Sequence, residues 1–334
     1  MAGLSLPAVE DNPDGWFRPL SWLGNPHVQT FLGAYLPGPS VRARRRHVVG
    51  LPDGDALMLH ENTPRSWRPG RPMALVLHGL AGTAASPHVQ RLALMLLARG
   101  VRVVRMDLRG AGAGLPLARG IYHGGRSADI RAALAEMHRW SPTSPLVLLG
   151  VSLGGNLALK TAGEAAEHPV PGLSRVAALS PPIDLERCER MLAHPRNRLY
   201  EEMFVRIVMD EARRRQVVFP DLPPLRFPPG RLTFRQFDEC YTAPRSGFAS
   251  AVDYYRQASP LALLARIEAP TLILTARDDP FIAVEPFEEA RLSDRVALRI
   301  LRHGGHIGFV GPDGAGGVRW GERRLVEWAL AGDA

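Results

Sequence analysis

Short apolar runs alternate with longer amphipathic stretches along most of this chain, and that alternation restricts the fold more than any other feature. MALVLH (73–78), VRVVRM (101–106), PLVLLGV (145–151), SRVAALS (174–180), TLILTA (271–276) and VALRIL (296–301) read as buried strands. RRHVVGL and ALMLHEN flank a Pro52-Asp53-Gly54-Asp55 turn and read as an N-terminal hairpin, which brings the strands to eight. Nearly every interval from Met73 to Ser180 holds one helical stretch. HVQRLALMLLARG stops on Gly100, and SADIRAALAEMHRW opens with Ser127 as its expected N-cap. Crossovers of that length favour parallel pairing. The pattern predicts a single α/β domain over residues 1–334, with a mostly parallel sheet of about eight strands and helices on both faces.

The rhythm stops after Ser180. From 181 to 260 there is no strand pattern, only the helical patches LERCERMLAHP, EEMFVRIVMDEARRR and FASAVDYYRQ and the proline-rich FPDLPPLRFPPG. A helical cap inserted between the sixth and seventh strands accounts for this, and insertions at the carboxyl ends of such strands shape binding crevices.

Composition narrows the classes further. The net charge of +8 comes almost entirely from arginine, since Lys160 is the only lysine, and the arginines are spread among acids. RARRR (42–46) and RRR (213–215) lack interleaved aromatics, so nucleic-acid binding is not expected. Cys188 and Cys240 have no metal-ligand spacing and are too few for a disulfide framework, which suits a reducing compartment, with a single bridge left open. The first sixteen residues carry prolines and acids where a leader has a basic start and an apolar run. Nowhere do 18 apolar residues run together, so a cytoplasmic protein is expected. Phe204, Val205, Ile207 and Val208 beside Arg213 also fit a basic amphipathic helix in peripheral contact with a membrane; a helix covering a site is the preferred reading.

The chemistry centres on GVSLGG (150–155), which lies where a strand ends and a helix begins. In that context G-x-S-x-G is a nucleophile elbow: Ser152 occupies a strained turn, and Gly150 and Gly154 keep the crossing strand and helix from colliding. The N-terminus of the following helix favours an oxyanion, which makes the Leu153 N–H one donor. A second is expected from HGLAG after the third strand, at the Leu80 N–H. A serine hydroxyl needs a base, and the base needs an acid to hold its tautomer. In this fold class the acid and the histidine follow the serine in chain order. RDDPF offers Asp279, with Asp278 as its competitor, and RHGGHIGF offers His306 beyond two glycines. No motif implies a cofactor or a metal.

NPHVQT, HGLAG followed by SPHVQ, DLRGAG, GVSLGGN, LTFRQFDECYTAPRSGFASAVDYYRQASP, DDPF and GGHIGFV together resemble the type 4 branch of the alpha/beta-hydrolase superfamily, from about Asn25 to Val310. The resemblance implies the alpha/beta-hydrolase fold and a triad carried by Ser152, Asp279 and His306. It also implies carboxylesterase activity on small acyl esters of short to medium chain. Some relatives transfer acyl groups to small alcohols, which stands as the alternative, as does a non-catalytic binding protein on the same scaffold. Several animal relatives carry an N-terminal membrane anchor, which is not expected here. By composition alone Phe237, Tyr241 and Tyr254 read as core.

Overall fold

In the computed structural model, which describes residues 9–11, 17–20, 23–36 and 38–331, each of the eight apolar runs is a strand. The sheet has nine strands, because β1 (Val9–Asp11) adds an edge that the sequence pattern does not announce. The others are β2 (Arg45–Gly50), β3 (Ala56–Asn62), β4 (Met73–Leu77), β5 (Arg102–Asp107), β6 (Leu146–Val151), β7 (Leu173–Leu179), β8 (Thr271–Ala276) and β9 (Val296–Leu301). Their order is β1-β9-β8-β7-β6-β4-β5-β3-β2. β2 and β3 form the antiparallel hairpin, β3 runs antiparallel to β5, and every other pairing is parallel.

The helices are α1 (Pro26–Tyr35), α2 (Pro87–Leu97), α3 (Ser127–Trp140), α4 (Leu153–Gly163), α5 (Leu185–Leu192) and α6 (Arg198–Val218). After them come α7 (Phe234–Phe237), α8 (Ala243–Arg245), α9 (Ala251–Ala258), α10 (Glu285–Glu289) and α11 (Trp320–Leu330). Every residue of β4, β6, β8 and β9 is buried, the consequence of helices on both faces. Alternate side chains of one strand therefore serve two cores. Leu75 and Leu148 pack with Ile130 of α3 and Leu157 of α4, whereas Val76 and Leu149 pack with Leu92 of α2 and Leu325 of α11.

One expectation is corrected in detail. Gly100 does take a positive φ of 80° just beyond α2, but Ser127 is not an N-cap. Arg126 holds that position without a side-chain cap, and the Ser127 hydroxyl instead donates to Glu164 at the end of α4 and accepts from Arg131. The two cysteines are both free, which closes the alternative of a single bridge.

Between β7 and β8 the described chain contains only helical and irregular backbone. Its longest element, α6, turns Val205, Val208 and Ala212 inward. Arg215, from the basic run, is also buried and donates to the carbonyls of Gly110, Ala118 and Gly120. Arg213 stays at the surface beside Asp210. Among the described residues no helix is long and apolar enough to cross a membrane. Residues 1–8 and 12–16, on which the reading of the N-terminus as no leader mainly rests, lie outside the described residues.

Candidate active site

β6 delivers Ser152 to the carboxyl edge of the sheet. There the serine holds φ 53° and ψ −123°, a conformation L-residues avoid, and its amide donates to Leu179 O at 2.8 Å. The turn is tight enough to exclude side chains on either side of it. A Cβ on Gly150 would lie 2.1 Å from Gly154 O, and one on Gly154 would lie 2.5 Å from His78 O. Both positions are glycine because backbone occupies the space.

The loop after β9 carries His306 back over this turn. It is held from below by α1, the NPHVQT segment: the His306 amide donates to Thr30 Oγ1 at 2.9 Å. Buried Gln29 accepts from the Val310 amide and donates to the Leu23 and Val310 carbonyls. A Cβ on Gly305, whose φ is 56°, would meet Pro26 O at 2.4 Å, so the glycine lets the loop lie directly on α1.

His306 Nε2 lies 3.0 Å from Ser152 Oγ, and His306 Nδ1 lies 2.8 Å from Asp279 Oδ2. The other oxygen of Asp279 accepts from the Phe281 and Ile282 amides at 2.8 and 3.0 Å. Asp278 faces elsewhere, accepting from the Gly305 amide at 2.9 Å and lying 3.2 Å from His303 Nδ1. It braces the histidine loop, while Asp279 is the acid that meets His306.

Two backbone donors adjoin the serine. Leu153 opens α4, and among the described residues neither its N–H nor that of Leu80 has an acceptor. The Leu80 amide is oriented by His78, a fully buried ring whose pKa burial lowers, so that it stays neutral. His78 Nε2 accepts from the Leu108 amide at 3.0 Å, which puts the ring proton on Nδ1, where it donates to Gly79 O at 2.7 Å. Gly79 C=O and Leu80 N–H share one trans peptide and point opposite ways. Holding the carbonyl therefore sets the general direction of the amide, and leaves it only a rocking motion about that hydrogen bond.

A cavity opens from Ser152 and His306 beneath α6, walled by Leu80, Leu153, Phe204, Val208, Phe237 and Phe281. Its polar wall contains the Asp238 carboxyl, which burial pushes up to about 7 and which accepts from Tyr255 OH at 2.8 Å. Cys188 also lines it, but burial pushes that thiol up to about 12, so it is not a nucleophile at neutral pH. Phe237, Tyr241 and Tyr254, which composition assigns to core, line this cavity. No pattern in the sequence singles out Thr30, Gln29 and His78 as site-shaping residues: His78 stands out as a polar end to the apolar run MALVL, whereas Gln29 and Thr30 lie within the mostly polar NPHVQT. Among the described residues no group of three or more His, Cys, Asp or Glu converges on a metal position.

A family model described as the alpha/beta hydrolase fold matches residues 74–312. The putative esterase YheT of Escherichia coli (strain K12) is 33% identical, over 96% of this chain and 95% of its own. Phospholipase ABHD3 of Mus musculus is 26% identical, over 88% of this chain and 73% of its own. Among solved structures, the Pyrococcus furiosus esterase Pf2001 matches with a TM-score of 0.55 at 16% identity, over 87% of this chain and 97% of that one, a likeness of fold.

Proposed function

The chain belongs to the alpha/beta-hydrolase family, and from that premise we propose that it is a serine hydrolase cleaving carboxylic esters through an acyl-enzyme on Ser152. The observation that carries the reading is the unbroken contact chain Asp279–His306–Ser152 at the strained elbow. With Nδ1–H donated to Asp279, His306 Nε2 is free to take the Ser152 proton as Oγ attacks the ester carbonyl. The carbonyl oxygen becomes an oxyanion, which the Leu80 and Leu153 amides and the α4 dipole stabilise. Such donors are each worth about 10²–10³ in rate. The tetrahedral centre collapses, His306 hands its proton to the departing alkoxide, and the alcohol leaves. Water, deprotonated by His306, then attacks the acyl-enzyme and releases the acid.

The apolar walls from Leu80, Phe204, Val208 and Phe281 suit short- to medium-chain acyl groups. Residues 181–260 act as a cap in this reading, with α6 over the cavity, and the enzyme works in the cytoplasm. The kinship with a putative esterase and a phospholipase supports ester chemistry.

The test is labelling by a fluorophosphonate, wild type against Ser152→Ala, followed by turnover of p-nitrophenyl esters of increasing chain length. Labelling and turnover are expected in the wild type and absent in the variant. Wild-type turnover in Ser152→Ala would remove the assignment, and an inert, well-folded wild type would favour a binding protein on this scaffold.

A further inference from the structure

Leu80 sits between two peptide groups, and each is held by a different aromatic ring. On the N-terminal side His78 fixes the Gly79 carbonyl. On the C-terminal side Tyr122 OH accepts from the Ala81 amide at 2.8 Å, and Ala81 holds a left-handed φ of 55° that alanine does not choose unaided. The two rings meet edge to face, with centroids 6.0 Å apart. The phenol has one proton, and it donates that proton to Glu211 Oε2 at 2.7 Å. Glu211 belongs to α6, the helix over the cavity, 89 residues away in sequence.

We propose that Tyr122 is a positioning residue, coupled through Glu211 to α6, that holds the Leu80 amide at the angle needed to receive the oxyanion. The proposal rests on the serine-hydrolase reading above and deepens it. Two planar peptides pivot on Leu80 Cα, so anchoring both leaves that residue no free backbone torsion. Releasing the Ala81 end frees Leu80 ψ, and the Gly79–Leu80 peptide, tied to His78 by its oxygen alone, can then rock about that hydrogen bond. The N–H then samples directions in which it no longer meets the oxygen of the tetrahedral intermediate, while Tyr122→Phe, which removes one oxygen from the cavity lining, leaves the ring that walls it. Glu211 makes the anchor firm, because its carboxyl oxygen takes the phenol proton and fixes the hydroxyl's direction, where an absent acceptor would let it turn. The covering helix and the oxyanion donor are thereby held in register by one side chain.

The test compares wild type with Tyr122→Phe, Glu211→Leu, Glu211→Gln and the double variant Tyr122→Phe/Glu211→Leu. Each is assayed for kcat and KM on p-nitrophenyl butyrate and for inhibition by an alkylboronic acid, which forms a tetrahedral adduct, and by butyramide, which does not. Tyr122→Phe is expected to lower kcat about tenfold, a fraction of the loss on deleting an oxyanion donor outright, with KM changed by no more than about twofold. Boronate affinity should weaken in step with kcat, and butyramide affinity should hold. Glu211→Leu reads the same contact from its other end and should match Tyr122→Phe. Glu211→Gln, whose amide oxygen still accepts, should retain more kcat than Glu211→Leu. The double variant should be no worse than either single one. Wild-type kcat and boronate affinity in Tyr122→Phe, or a loss confined to KM, would overturn the proposal. A wild type that neither labels at Ser152 nor turns over esters would overturn the hydrolase reading instead.

Discussion

Replacing Asp279 by asparagine isolates the acid's contribution, and its effect can be worked out atom by atom. Asp279 spends one oxygen on the Phe281 and Ile282 amides and the other on His306 Nδ1. An asparagine must keep its carbonyl oxygen toward the two backbone donors, because the flipped amide would set NH₂ against two N–H groups and forfeit both bonds, each about 1–3 kcal/mol when buried. Its NH₂ therefore faces His306 and makes Nδ1 an acceptor. The ring proton moves to Nε2, where it blocks acceptance of the Ser152 proton. The expected loss in kcat is about 10⁴-fold, or about 5.5 kcal/mol of transition-state stabilisation, with KM little changed. Asp278→Asn retains an oxygen for the Gly305 amide and should stay within about threefold of wild type on the same reasoning. Steady-state hydrolysis of p-nitrophenyl butyrate at saturating ester, on protein whose melting temperature matches wild type, measures both. Asp279→Asn within tenfold of wild type, or Asp278→Asn as impaired as Asp279→Asn, would refute the argument.

Gly154→Ala should fail to fold, since its Cβ would lie within 2.5–2.7 Å of the His78 and Leu77 carbonyl oxygens, neither of which is a flexible side-chain end; soluble, cooperative unfolding at the wild-type midpoint would contradict this. Val208→Phe should shorten the preferred acyl chain by filling the cavity beneath α6, read as a fall in the octanoate-to-acetate rate ratio while acetate turnover persists. Asp238→Asn should change how stability depends on pH. The unfolded chain ionises this carboxyl near 3.8 and the folded chain near 7, so between those values the folded state binds more protons and wild-type stability falls as pH rises. Urea midpoints should show the variant gaining on wild type from pH 4 to pH 7 and holding a constant lead above it, whereas a lead that does not change with pH would sink the idea.

Strand positions, the elbow and the order of serine, acid and histidine could be read locally, because each is a periodicity or a short string. LVLLGVSLGG contains both the buried strand and the glycines that its turn demands. The sequence was less legible where one segment fits two local readings. Ser127 has the chemistry of an N-cap, and only the nearby Glu164 carboxylate redirects it. EEMFVRIVMDEARRR fits a surface helix or a covering one, and the burial of Val205, Val208 and Arg215 separates them. β1 is three residues long, too short for a strand period to announce it.

From the sequence alone came the α/β alternation, the helical break at 181–260 and the candidate residues at three strand ends, since burial of a strand on both faces writes itself into consecutive apolar residues. The sequence already favoured Asp279 over Asp278, and tertiary structure alone supplied the contact that joins it to His306 and the hold of Thr30 and Gln29 on the histidine loop from as far as 281 residues away. It alone joined His78 and Tyr122 on either side of Leu80. Those choices rest on hydrogen bonds between segments distant in the chain, whose directions are set by packing and leave no local period to read.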